Sequence, residues 1–166
     1  MGNRAVIATK NKDIGVYLHW NGGRDSVEAF LAYCKLKGYR YPEDDCYGWA
    51  RLCQVIGNFF GGGLSLGIDK YENLDTDNWD NGVYIIEKWE IVGREFKHGA
   101  EQYEYDLLKM LKDINQAQPK EEQLDEKILE EYVNSLPPRK KDDDSEDTSS
   151  EDTESAETYL DDDLPF

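Results

Sequence analysis

The sequence predicts a small α+β domain of order ββααβββα, then an amphipathic helix and a disordered acidic tail. Three observations lead there. Short β-branched and aromatic runs alternate with stretches of helical apolar spacing. All four Trp, every Phe except Phe166 and nine of the eleven Tyr fall within residues 1–105, enough to build one core. Acidity collects at the other end: of a net charge of −17, residues 1–120 hold 15 basic and 18 acidic side chains, whereas 121–166 hold 4 and 18. At 166 residues there is room for one domain, not two large ones.

The elements follow in order. Arg4–Lys10 and Ile14–Trp20 are β-type runs separated by Asn11-Lys12-Asp13, which reads as a hairpin. Asn21-Gly22-Gly23 breaks the second strand, and Asp25 or Ser26 is placed to cap a helix carrying Ala29, Phe30, Tyr33, Cys34 and Leu36 on one side. Over about 45–60, Trp49, Leu52, Cys53, Ile56 and Phe59/Phe60 repeat at spacings of three and four, so a second helix is expected, stopped by Gly61-Gly62-Gly63. Strand character returns at Leu64–Tyr71. After the turn signal Asn81-Gly82 it returns again in Val83–Ile86 and Trp89–Val92, flanking a tight Glu87-Lys88 turn or joined as one long strand. Glu101–Ala117 has a helix pattern. Two early helices exclude the all-strand pattern of a simple five-stranded oligonucleotide-binding barrel.

Residues 1–118 are therefore expected to form the globular domain. Residues 119–136 follow as an amphipathic helix with Leu124, Ile128, Tyr132 and Leu136 four apart, docking on the body or on a partner. Pro137-Pro138 ends it. The linker, 137–158, has no large apolar residue from Arg139 to Thr158 and is expected to stay disordered, because no burial offsets the entropy of ordering it. Residues 159–166 form a separate docking peptide.

Charge and cysteine usage exclude several classes. A uniformly acidic mimic of duplex DNA would spread its charge over a folded surface. A simple basic nucleic-acid binder would show a domain with pI above about 9. Cys34, Cys46 and Cys53 are an odd, scattered set with no disulfide framework, pointing to a reducing, cytoplasmic setting. No run approaches the roughly 18 apolar residues of a membrane span, and Gly2 lacks the Ser or Thr that a myristoylation signal needs where Val6 stands.

The chain ends Tyr159-Leu160-Asp161-Asp162-Asp163-Leu164-Pro165-Phe166. A partner is expected to bury the Phe166 ring, take its α-carboxylate on an Arg or Lys, and meet Asp161–Asp163 with a basic rim. Pro165 reduces the entropy lost on binding. This ending, behind an acidic linker, closely resembles the C-terminal tip of bacterial single-stranded DNA-binding proteins, whose commonest form carries Ile where Leu164 stands. The opening Asn3-Arg4-Ala5-Val6-Ile7 is faintly similar to that family's start. The resemblance implies that Asp161, Asp162, Asp163, Leu164, Pro165 and Phe166 dock replication, recombination and repair enzymes, in a bacterial or bacteriophage cytoplasm. It implies also that the tip competes with DNA for the body's binding groove.

Binding single strands needs cations along the phosphates and rings for bases to stack on. Candidates are Tyr17 and Trp20 with Arg24, Arg40 with Tyr41 beside Tyr39, Lys88 with Trp89, and Arg94, Phe96 and Lys97. In a regular strand Tyr17 and Trp20 point to opposite faces, so only one of them would stack on a base. The same rings are also what a small core is built from.

Other chemistry fits less well. Asp45-Cys46-Tyr47-Gly48 is similar to the Asp-Cys-Ser-Gly motif of cell-wall cysteine peptidases, with His98 or His19 as base, but Tyr replaces Ser and Glu43-Asp44-Asp45 opposes a thiolate. Cys34, Cys46, Cys53 and His19 lack the paired spacing of structural zinc. Gly61-Gly62-Gly63 lacks the Gly-Lys-Ser/Thr of a phosphate loop. Counted from Asp75, the run with Asp77 and Asp80 misses the Gly and Glu of a calcium loop. The expectation is a non-enzymatic protein without metal or cofactor that binds single-stranded DNA and recruits enzymes. The alternative is a mobile-element adaptor or decoy that uses the tip without binding DNA, and the third reading is a cysteine hydrolase using Cys46. The sequence leaves a homo-oligomer open.

Overall fold

The first hairpin forms as β1 (Ala5–Thr9) and β2 (Ile14–Leu18), antiparallel with Ala5 opposite Leu18. The computed structural model describes residues 2–62 and 65–139. Three more strands, β3 (Leu66–Lys70), β4 (Val83–Glu87) and β5 (Glu90–Glu95), complete one mixed sheet in the order β3-β2-β1-β4-β5. All pairs are antiparallel except β1 with β4. These two strands read as continuous apolar runs, Ala-Val-Ile-Ala and Val-Tyr-Ile-Ile, because both of their faces are buried.

Four helices, α1 (Arg24–Leu36), α2 (Cys46–Phe60), α3 (Leu107–Ala117) and α4 (Glu126–Ser135), share a core with one sheet face. Ala5, Ile7, Val16, Leu18, Tyr84 and Ile86 meet Phe30, Leu52, Ile56, Leu111 and Ile114 there, and Phe30 packs edge-on against Phe59 at 5.6 Å. The other face, built of Val6, Ala8, Val83 and Ile85, is roofed among the described residues by Tyr17, Tyr71 and Leu74. The chain between β3 and β4 crosses that face. It starts from a 3-10 turn at Tyr71–Asn73, tied to the first hairpin where the Tyr71 amide donates to the Asp13 carbonyl.

Helix ends follow local chemistry. The Asp45 carboxylate caps α2 by accepting from the Tyr47 amide, and Gly61, at φ 70°, ends it in the left-handed conformation glycine tolerates. At α1 the cap is Gly23 with no side-chain bond, and Asp25 sits inside the first turn. Asp106 caps α3 through the Lys109 amide, so Glu101–Tyr105 precede the helix without regular structure.

α4 begins at Glu126 because Asp125 caps it through Lys127. Leu124 thus lies outside the helix, Ile128 is 42% exposed, and Leu129 is the side chain that enters the core, with Tyr132, Val133 and Leu136 half-buried beside it. Of the four residues spaced by four, Leu124, Tyr132 and Leu136 pack on the core and Ile128 turns to solvent, its place in the apolar face being taken by Leu129. Buried Asn115 holds the α3–α4 connection by donating to the Leu124 carbonyl and accepting from its amide. Among the described residues, no helix is long and apolar enough to cross a membrane.

The turn between β4 and β5 also differs from the expected one. Its central residues are Lys88 and Trp89, at φ 51° and 61°, rather than Glu87 and Lys88. Trp89 is 2% exposed and donates its indole N–H to the Tyr39 carbonyl at 2.9 Å. It fills the core and offers no ring to a base.

Candidate functional site

The expected DNA-contacting residues fall into two groups at opposite ends of the sheet. Five-residue strands separate the ends by about 15 Å. At one end, α1 and the β4–β5 turn bring together Arg40, Tyr41, Lys88 and Trp89. Arg40 is exposed, pairs with Asp45 at 3.0 Å and lies 5.3 Å from the exposed Tyr47 ring. The Lys88 amide donates to Glu43.

The other end holds the start of β1, the end of β2, the start of α1 and the end of β5, where Tyr17, Trp20, Arg24, Arg94, Phe96 and Lys97 lie. Tyr17 and Trp20 do not alternate across a strand, because β2 stops at Leu18. Trp20 is 45% exposed and edge-on to His19, and His19 Nδ1 is 3.2 Å from the Tyr17 hydroxyl. Lys97 reaches toward Asp77 at 3.9 Å.

Arg24, Arg94 and Phe96 do converge, and they do so with residues the sequence reading had not selected. Glu101 accepts from Arg24 at 3.0 Å and from Arg94 at 2.9 Å, and lies 3.6 Å from Arg139. The Arg94 guanidinium packs 3.4 Å from the Tyr84 ring centre and 4.2 Å from that of Phe96, and Arg139 packs 4.8 Å from Tyr103. The resulting cleft of about 330 Å³ continues past Tyr103 and Arg139 into a groove of about 520 Å³ lined by Tyr105, Leu107, Val133 and Leu136.

Three arginines here face two carboxylates, Glu101 and Glu28, the latter paired with Arg24 at 3.3 Å. Burial alone would raise the Glu101 pKa, yet the arginines outweigh it and hold the carboxyl below its ordinary value. For Arg94 burial wins and lowers the guanidinium, while Arg24 is raised because Glu101 and Glu28 overcome its burial. The cleft is an arginine and aromatic site whose charge is largely compensated from within. Glu101 and Tyr103, two residues apart, and the distant Arg139 meet Arg24 and Arg94 only through the fold, and no local spacing marked them.

A second feature at this end was also missed. Trp79, 66% exposed, stacks on His98 with ring centres 3.5 Å apart and planes 12° apart. The only hint in the sequence was a bulky ring set among turn formers, Asp77-Asn78-Trp79-Asp80-Asn81-Gly82.

Cys46 is exposed at the first turn of α2, beside the 40–45 segment. Both histidines lie at the opposite end of the sheet, occupied with Tyr17 and Asp77, so no Cys–His pair forms. Cys34 is buried, which raises its thiol pKa, and no cluster of three or more metal-ligating side chains exists among the described residues. Asp161, Asp162, Asp163, Leu164, Pro165 and Phe166 lie outside the described residues.

Comparison of the chain with protein-family models, curated proteins and solved structures returns no match.

Proposed function

We propose that the chain is a non-enzymatic protein of DNA metabolism that docks replication, recombination and repair enzymes through Asp161–Phe166 and binds single-stranded DNA through its body. The observation that carries this reading is the segment itself: three consecutive carboxylates followed by Leu164, Pro165 and Phe166, behind a strongly acidic stretch. Carboxylates steer a basic partner, and an aromatic ring filling a pocket supplies most of the affinity. For the DNA half, support comes from the end of the sheet that carries exposed Trp20 and the cleft of Arg24, Arg94, Arg139, Phe96 and Tyr103.

One observation favours the adaptor reading, in which the tip engages such enzymes and the body does not bind DNA. Among the described residues, only Arg51, Lys70, Lys88, Lys120 and Lys127 are cations outside any ion pair, and each comes from a different element or turn. Phosphate binding at the cleft would have to displace Glu101 or Glu28 from their arginines.

Titration with oligo-dT at low and moderate salt separates the two readings. Quenching of tryptophan fluorescence at micromolar protein is expected if the body binds DNA, and its absence leaves the adaptor. Deleting Phe166, or adding one residue after it, is expected to abolish capture of partner enzymes under either reading. Retained capture would defeat the docking role of the tip.

A further inference from the structure

We propose that Trp79 and the carboxylates of its loop form a second docking point, which takes a cationic side chain from a basic protein segment. The proposal goes beyond the tip and the cleft and depends on neither. It starts from how firmly the loop is built. Asn78 is fully buried, and its amide group donates to the carbonyls of Asp75 and Gly82, both at 3.1 Å. Its side-chain oxygen accepts from the amides of Asp80, Asn81 and Gly82 at 3.0–3.2 Å. Asp80 is fixed to Arg4 through both the backbone amide and Nε.

The product of this wiring is a tryptophan held at φ 63°, a left-handed backbone that bulky residues rarely adopt. Its ring is turned away from the core. His98, itself anchored to Asp77 at 3.0 Å, covers one face of the indole. Since Trp79 is nevertheless 66% exposed, the other face stands in water.

The charge of the loop selects its occupant. The loop carries Asp75, Asp77 and Asp80. The cations at hand are Arg4, paired with Asp80 at 2.8 Å, and Lys97, 3.9 Å from Asp77. Exposed Asp75 has no ion-pair partner among the described residues. An electron-rich indole face on a loop that carries an exposed carboxylate outside any ion pair attracts an ammonium or guanidinium group within about 6 Å of the ring centre and opposes a phosphate. This is the chemistry of Asp161–Phe166 repeated on the body, carboxylates next to one exposed aromatic. Two such contacts on one basic partner would reinforce each other through effective concentration.

The test is an NMR titration of the full chain with hexa-arginine amide at low salt, following the tryptophan indole N–H resonances, with that of Trp79 assigned by its absence in Trp79→Phe. The Trp79 resonance is expected to shift saturably while those of buried Trp49 and Trp89 stay still. Asp75→Asn is expected to weaken the binding read at Trp79 about two- to fivefold. The Trp79 shift is expected to persist in a chain carrying Asp161→Asn, Asp162→Asn and Asp163→Asn. An unmoved Trp79 resonance, or a shift that vanishes when the tail aspartates are neutralised, overturns the proposal. So does a Trp79 resonance that responds to oligo-dT and not to hexa-arginine, which would assign the ring to nucleic acid.

Discussion

Trp79 and Trp89 sit ten residues apart, both in reversals of the chain and both with left-handed backbone, at φ 63° and 61°. One is 66% exposed and the other 2%. The difference lies in where the surrounding polar groups are satisfied. The Trp89 turn is short, and its backbone is finished by the β4–β5 ladder and by Glu43, so the side chain is free to fold under the sheet end and give its N–H to Tyr39. Around Trp79 the polar groups converge on the buried Asn78 side chain instead. That leaves no room inside the loop for an indole, and the ring is displayed outward against His98. Similar backbone geometry therefore yields a core residue in one place and a presented surface in the other.

The largest expected effect breaks this comparison at the core. Trp89→Ala removes a fully buried ring and its hydrogen bond, and is expected to cost about 3–5 kcal/mol in chemical denaturation. Trp79→Ala is expected to change stability by no more than about 0.5 kcal/mol, as for a surface position. Equal losses from the two substitutions would show that Trp79 is structural after all.

That contrast marks the limit of what the sequence revealed. Local chemistry was legible: Asp45 and Gly61 bracket α2, and the short runs around Asn11-Lys12-Asp13 make the hairpin, because caps and turns are decided within a few residues. Lys88-Trp89 read as a cation beside a ring in the same way as Arg40-Tyr41. Whether a ring is buried depends on Tyr39 and Glu43, almost fifty residues away, which no periodicity encodes. The parallel pairing of β1 with β4 and the meeting of Arg24, Arg94 and Arg139 at Glu101 are long-range in the same sense. The start of α4 was closer to being readable, since Asp125 is a stronger start signal than the spacing of four that placed Leu124 inside the helix.

A smaller effect tests the wiring behind Trp79. Asn78→Ala leaves the amides of Asp80 and Gly82 without their acceptor, while that of Asn81 keeps the Arg4 carbonyl at 3.1 Å, in a partly to fully buried setting, and is expected to cost about 2–3 kcal/mol. The Trp79–His98 stack should loosen with it, visible as a loss of near-ultraviolet circular dichroism that Trp79→Ala reproduces without the stability loss. Asn78→Asp keeps the acceptor and gives up the two donated bonds, so it should recover part of the stability. If Asn78→Ala left both stability and the dichroism unchanged, Trp79 would owe its position to something other than this loop.

The smallest effect concerns the other turn and has the opposite sign. With φ positive at both central positions, the β4–β5 turn has the geometry that two-residue hairpins usually fill with Asn-Gly. Trp89 cannot be exchanged without emptying the core, so only Lys88 is free to change. Its side chain is in no ion pair among the described residues, and its contact with Glu43 comes from the backbone amide, which any non-proline residue retains. A left-handed conformation costs a side chain with a long stem about 1 kcal/mol, and Asn tolerates it better. Lys88→Asn is therefore expected to stabilise the domain by a few tenths of a kcal/mol up to about 1 kcal/mol, measured as a higher denaturation midpoint with an unchanged slope. A lower midpoint would mean that Lys88 does more for the turn than occupy a strained position, and that the burial of Trp89 depends on this lysine as well as on Tyr39.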